Sequence, residues 1–222
     1  MLIIDDNSPD GTAVIAEKLI TTYIDRLHIL KRPGKQGVAS ALLQAFSWGI
    51  DHGYTAMLAM DADFSHDPKY IPILLENLNE NDVVLGSRLV KGGGIENRSF
   101  LRNIISLGAS LFCGLLLTPQ IKDWTGGYNL WSKNVLLKID LNNIMTRGYS
   151  FQIEMKYKAF KAGFRITEVP IVFPDRQRDA SKMPALYLIK ALVDVWYIKF
   201  MHICSGFFRF RGDKNEKNNS KK

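Results

Sequence analysis

Short apolar runs alternate with amphipathic stretches through the first part of this chain. Leu2-Ile3-Ile4 predicts a strand that opens directly onto the acidic loop Asp5-Asp6-Asn7-Ser8-Pro9-Asp10-Gly11, and Thr12 to Tyr23 carries helical periodicity. His28-Ile29-Leu30 predicts a second strand, followed by a basic, glycine-bearing loop over 31–37 and a helix from Val38 to His52. Ala56 to Met60 is apolar without alternation, as expected of a buried strand. Pro68 to Asn79 reads as a helix, and Asp82 to Leu85 as a strand running into Gly86-Ser87-Arg88. This β-α-β-α-β order predicts an α/β fold whose mostly parallel sheet carries helices on both faces. Beyond Arg88 the pattern turns irregular: a glycine-rich loop at Lys91–Gly94, an apolar helix from Ile104 to Leu117, and a tight turn at Asp123–Tyr128 leading into a strand at Asn129–Trp131. An amphipathic helix over Gly148–Ala162 and a strand over Arg165–Phe173 follow.

The segment richest in candidate chemistry is Met60-Asp61-Ala62-Asp63-Phe64-Ser65-His66-Asp67-Pro68, which follows the third strand. It places Asp61 and Asp63 at a strand's carboxyl end, where ligands of open α/β sheets bind. Two carboxylates spaced this closely repel unless a cation lies between them. Mg²⁺ or Mn²⁺ carrying a diphosphate suits their hard oxygens. The structural alternative is a helix N-terminus, since Ser65, Asp67 and Pro68 resemble a capping sequence. His52 and His66 read as structural.

Composition adds two constraints. Cys113 and Cys204 both lie in apolar stretches, so neither a disulfide framework nor a zinc site is expected, and a reduced, cytosolic setting is the default. The net charge of +7 is concentrated at one end: 18 Lys and Arg balance 18 Asp and Glu up to Asp175, against 11 and 4 from Arg176 onward. A basic patch of this kind suits an anionic membrane or nucleic acid, and the apolar content beside it favours the membrane. Ile104–Leu117 is too short to cross a bilayer, and Ala185–Phe210 is interrupted by Lys190, Asp194 and Lys199, so an amphipathic helix at the membrane interface is expected, with packing onto the core as the alternative. The domains expected are 1–183 for the catalytic fold, 184–210 for the membrane-associating helix and 211–222 for a disordered basic tail. No signal peptide is recognisable.

Seven stretches in this order closely resemble the polyprenyl-phosphate sugar transferases of glycosyltransferase family 2, the dolichol-phosphate mannose synthase group with the GT-A fold. They are DDNSPDGT (5–12), RPGKQGVASAL (32–42), MDADFSHDP (60–68), GSRLVKGGG (86–94), DWTGGY (123–128), GYSFQIEM (148–155) and EVPIVFPDR with the later SK (168–182). Two departures stand out. The family's opening strand and its Pro-x-Tyr-Asn-Glu loop are absent, so a missing N-terminal strand is expected. Asp179 also stands where the family usually has glycine, two residues before Ser181.

The resemblance implies inverting transfer of a sugar from a nucleoside diphosphate, with GDP-mannose favoured and UDP-glucose the alternative, to a dolichyl or undecaprenyl phosphate at the cytoplasmic face of a membrane. It implies that Asp61, Asp63 and Ser65 hold Mg²⁺ or Mn²⁺, and that Ile4, Asp6 and Ala62 line the nucleotide site, with Asp6 accepting a base N–H. Arg176 and Lys182 would close on the diphosphate. Arg88 and Arg102, helped by Ser106, would grip the acceptor phosphate, and Asp123 would position the donor or an arginine. The nucleophile needs no general base, because a phosphate monoester with a second pKa near roughly 6 is largely ionised already. A membrane-anchoring partner subunit is compatible with this family, and a nucleic-acid partner is not expected. Two competing readings remain at this stage: a haloacid-dehalogenase-type phosphatase, whose further acidic pair and lysine the chain does not supply, and a truncated relative that binds membrane without turning over.

Overall fold

The computed structural model describes residues 1–96, 100–174 and 190–201; for 100–102 and 149 it describes the backbone alone. The chain opens on β1 (Leu2–Asp5), crosses through α1 (Thr12–Ile20) and pairs in parallel with β2 (His28–Lys31), Leu2 opposite His28 and Asp5 opposite Lys31. α2 (Val38–Asp51) leads to β3 (Ala56–Ala59). A 3₁₀ turn at Pro68–Tyr70 and α3 (Ile71–Leu78) then lead to β4 (Val83–Ser87). After β5 (Gly94–Glu96) and α4 (Phe100–Leu116), β6 (Asn129–Ser132) inserts between β3 and β4, antiparallel to both. α5 (Lys133–Lys138) and α6 (Tyr149–Lys161) precede β7 (Ile166–Pro170), which joins β4 in parallel, and β8 (Val172–Pro174), which pairs in parallel with β5.

The described residues therefore form three sheets: β1-β2, β3-β6-β4-β7 and β5-β8. Among the described residues β1 pairs only with β2, and β3 only with β6, so each keeps one strandless edge; α2 packs against both strands. The α/β class and the parallel β4–β7 pairing agree with the sequence expectation. The antiparallel β6 is a difference of orientation that a local pattern of two apolar residues does not encode.

β4 anchors the fold because it is buried on both faces. Val83 and Leu85 join a cluster with Trp124, Trp131, Phe151 and Met155, whereas Val84 packs with Leu74, Tyr128, Leu130 and Val169 on the other side. The period-two alternation of a strand divides the two cores, and its uninterrupted apolar sequence is the signature of that double burial. α6 departs from the amphipathic expectation: residues 150–157 are all buried, including Glu154 and Lys156. Their charges are satisfied inside the protein, where sequence periodicity alone reads a solvated face.

The outer helices show the reverse. α4 exposes Ile104, Leu107, Leu111 and Leu115, while Ser110 and Cys113 face inward. Burial pushes the Cys113 thiol up to about 12, which makes it inert as a nucleophile. In the helix over residues 190–201, Val195 and Ile198 enter the main core and Asp194 accepts a hydrogen bond from the Ser150 hydroxyl at 2.6 Å. Leu192, Val193, Trp196 and Phe200 point outward. The packing alternative and the apolar outer face are thus both present in this helix. Among the described residues no helix is long and apolar enough to cross a membrane.

Candidate active site

Because β3 and β4 both oppose β6, they run parallel to each other, and their carboxyl ends share one rim with the entry into β6. That rim gathers the Asp61–Asp63 loop after β3, Arg88 after β4, and the Asp123–Tyr128 turn before β6.

In the first loop the two readings of the acidic segment separate residue by residue. Asp67 is the cap: its carboxylate accepts the Lys69 N–H at 2.9 Å ahead of Pro68–Tyr70. Asp63 closes a local turn by accepting the Ser65 N–H at 3.1 Å and the Ser65 hydroxyl. The intervening Phe64 is 91% exposed and adopts φ 63°, a conformation that bulky residues avoid. Asp61 presents a half-exposed carboxylate. Its backbone N–H donates to Nδ1 of His66 at 2.8 Å. His66 itself is buried, stacked on Tyr128 with ring centroids 4.7 Å apart and edge-on to Phe173 at 5.5 Å. Single-residue pattern reading gave His66 no role beyond structure; the structure makes it the internal brace of the acidic loop. A histidine beside a helix start has no local signal for this, because its ring partners come from the turn before β6 and from β8.

Phe173 connects the brace to the next group. The Arg88 guanidinium carbon lies 5.5 Å from its ring centre, a cation–π distance. His66, Arg88, Gly127, Tyr128, Ile171 and Phe173 line a narrow cleft. Arg88 donates from Nε and Nη2 to the two carboxylate oxygens of Asp123, each at 2.7 Å, from its backbone N–H to Asp123 at 3.0 Å, and from Nη2 to the Thr125 hydroxyl at 2.9 Å. Burial on its own would raise the Asp123 carboxyl, but the hydrogen bonds and charge of Arg88, aided by the charge of Lys156, outweigh it and hold Asp123 at about 2. An ionised, saturated acceptor of this kind is a poor base, and its geometry fits orientation of Arg88.

Asp6 belongs to a separate cluster. Its carboxylate is paired with the buried Arg32, which also donates to the Ser40 hydroxyl at 2.9 Å, and it accepts the Gln36 N–H at 3.2 Å. A carboxylate has about four acceptor positions, so capacity for a further N–H remains. Asp5, by contrast, is buried and accepts the Ser8 N–H at 3.0 Å, the turn-forming role. Ile4 is half-buried in β1, Ala62 is exposed between the two acids, and Ser65 is buried. Arg102 lies in α4, with Ser106 half-buried one turn on. Arg176 and Lys182 lie outside the described residues. Among the described residues no three His, Cys, Asp or Glu side chains converge on one point. Two carboxylates are nonetheless a fitting donor set for Mg²⁺ or Mn²⁺, which complete their coordination with water and substrate phosphate oxygens.

Residues 1–150 match the family model described as Glycosyl transferase family 2. Polyprenol monophosphomannose synthase of Mycolicibacterium smegmatis is 38% identical over 202 residues, covering 90% of this chain and 76% of that protein. The chain belongs to glycosyl transferase family 2. Undecaprenyl-phosphate mannosyltransferase of Micrococcus luteus is likewise 38% identical, over 195 residues, covering 88% of this chain and 80% of that one. Among solved structures, glucosyl-3-phosphoglycerate synthase of Mycobacterium tuberculosis, crystallised with Mn²⁺, UDP-glucose and phosphoglyceric acid, superposes with a TM-score of 0.62 at 13% identity, covering 89% of this chain and 68% of that one. At that identity the match concerns the fold alone. For this glycosyltransferase the α/β expectation therefore holds at the level of the GT-A architecture.

Proposed function

We propose that this glycosyltransferase moves mannose from GDP-mannose to a polyprenyl phosphate, with Mg²⁺ or Mn²⁺ held by Asp61 and Asp63. The observation that carries the reading is the physical continuity of the rim: the Asp61 loop, His66, Phe173, Arg88 and Asp123 form one chain of contacts. That chain joins a cation-binding end to an anion-gripping end. Support for the acceptor and the sugar comes from the two mannose-transferring relatives.

The bound cation would supply Lewis-acid neutralisation of the leaving diphosphate. The chain's own residues do the rest. His66 keeps the Asp61 backbone in place so that its carboxylate stays on the rim. Asp6, paired with Arg32, offers remaining acceptor capacity to the edge of the nucleotide base. Arg88 has Nε and Nη2 fixed on Asp123, and among the described residues no hydrogen bond engages its remaining nitrogen, Nη1. It is the donor offered to the acceptor phosphate. Arg102 is assigned to the same acceptor phosphate, and Arg176 and Lys182 to the leaving diphosphate. The apolar outer faces of α4 and of the helix over 190–201 lie against the cytoplasmic surface of a membrane, where the prenyl chain is dissolved; exposed apolar patches mark such contacts.

GDP-mannose with Mn²⁺, at about a hundred times its dissociation constant, should stabilise the protein by about 2.7 kcal/mol, which for a chain of this length raises Tm by roughly 5–10 °C. UDP-glucose should give less. Equal shifts with both nucleotides would remove the preference for guanine and mannose, and no shift with either would favour a non-catalytic relative.

A further inference from the structure

Lys156 is fully buried in the middle of α6, and none of its bonds goes to a side-chain carboxylate. Its ammonium donates to three backbone carbonyls of a single turn: Asp123 at 2.7 Å, Trp124 at 3.2 Å and Gly126 at 2.9 Å. An ammonium has three N–H donors and no acceptor, so this turn absorbs its entire capacity. Carbonyl dipoles converging on one point repel one another without a cation between them. A methionine would fill the same space at far lower desolvation cost, so the buried charge calls for a role that an apolar residue cannot perform.

The turn is held equally firmly from its amide side. Glu168 of β7 accepts the N–H groups of Lys122 and Asp123 at 2.8 and 2.9 Å. Gly126 donates its N–H to Asp123 Oδ1 at 2.9 Å, and a Cβ added there would meet that carboxylate at 3.2–3.3 Å, so the turn is wound as tightly as glycine permits. Between these two clamps sits the Asp123 carboxylate, both oxygens on Arg88.

On the transfer reaction proposed above, we infer that Lys156 is a positioning residue: by gathering three carbonyls of the 123–126 turn it fixes the Asp123 carboxylate, which in turn aims Arg88 at the acceptor phosphate. It touches no substrate itself. The groups facing it are Asp123, Arg88, Glu168 and Cys113. Burial lowers the ammonium to about 8, against the opposing pull of Asp123 and Glu168. Asp123 near 2 and Cys113 near 12 do not titrate in that range. Loss of the proton leaves two donors for three carbonyls and releases one corner of the turn. The folded-state value lies below the ordinary 10.5, so between the two the unfolded chain binds more protons and stability rises with pH. A loosened turn without a loss of stability is therefore the distinguishing signature.

Trp124, buried in the turn itself, is the reporter. In full-length protein carrying 5-fluorotryptophan, with its resonance assigned through Trp124→Phe, the ¹⁹F signal of Trp124 should shift with a midpoint near pH 8, while Tm does not fall over the same interval. In Lys156→Met that titration should vanish. The kcat/KM for polyprenyl phosphate should fall about ten- to a hundredfold, with nucleotide-sugar affinity in Mn²⁺ within about twofold of the parent. Lys156→Gln, which restores two donors without charge, should recover part of the loss. A Trp124 signal that stays fixed up to pH 11, past the ordinary lysine value of 10.5, overturns the inference, as does an equal loss of nucleotide and acceptor binding in a folded Lys156→Met protein. The fluorine titration needs no turnover and no variant at position 156. A parent that titrates but transfers no sugar would contradict the transfer reading and leave the clamp standing.

Discussion

Asp63→Asn is expected to lower kcat for sugar transfer by at least about a hundredfold while leaving the fold intact. Neutralising one of two carboxylates removes half of the fixed charge that attracts the cation, and the cation's stabilisation of a departing diphosphate is worth several kcal/mol, with about 1.4 kcal/mol per factor of ten. The carboxylate is exposed, and the N–H and hydroxyl of Ser65 that it accepts can still be accepted by an asparagine oxygen. Asp67→Asn is the built-in control. It alters a cap four residues away, and because asparagine caps about as well as aspartate it should change neither stability nor rate appreciably. Should Asp67→Asn and Asp63→Asn lower the rate alike, the acidic segment would be a structural unit with no special metal-binding pair. Transfer rates measured beside Tm decide the matter.

The second large effect concerns the Arg88–Asp123 pair. Arg88→Met leaves a buried carboxylate unpaired and should cost about 3–5 kcal/mol of stability as well as acceptor binding. Adding Asp123→Leu removes the stranded charge, so the double variant should recover most of the lost stability in urea unfolding yet none of the transfer. Recovery of both would show that the pair serves only the fold. The pair also sets an acid limit. Asp123 is held at about 2, below the ordinary 3.8, so its contribution of about 2 kcal/mol is present above pH 4 and is lost as pH falls from there through 2. In Arg88→Met/Asp123→Leu the unfolding midpoint should lose that part of its acid dependence.

How much of this was readable in the chain depends on whether each signal is local. The position of Asp61 and Asp63 after an apolar run is a nearest-neighbour feature, as is the Asp67–Pro68 cap, and both are where the pattern puts them. The double burial of β4 was visible as Val-Val-Leu without alternation. The orientation of β6 was not, because antiparallel pairing with β3 and β4 is decided across more than 40 residues of sequence. The partners of His66, whose structural role was expected, and the burial of Lys156 went unrecognised for the same reason. Each of the two is a single polar residue whose meaning lies in partners from other elements, and Lys156 sits at a spacing that reads as a solvated helix face. The signal that would have raised suspicion is the sequence around it: Phe151, Ile153, Met155 and Tyr157 alternate with Gln152, Glu154 and Lys156, a pattern that leaves a helix no consistently polar side. The outer faces of α4 and the 190–201 helix were legible as apolar, and the inward turn of Asp194 toward Ser150 shows why that charge does not interrupt the apolar outside.

The central claim is that acids at the sheet rim hold a cation that makes a nucleotide sugar reactive toward a lipid phosphate. Its most direct test incubates the purified full chain with radiolabelled GDP-mannose and undecaprenyl phosphate in detergent, with Mn²⁺, with a chelator, and with the chelator followed by excess Mn²⁺. Label should enter the organic phase in the first and third arms and not in the second. Label entering equally in all three, or remaining with the nucleotide in all three, would contradict the claim.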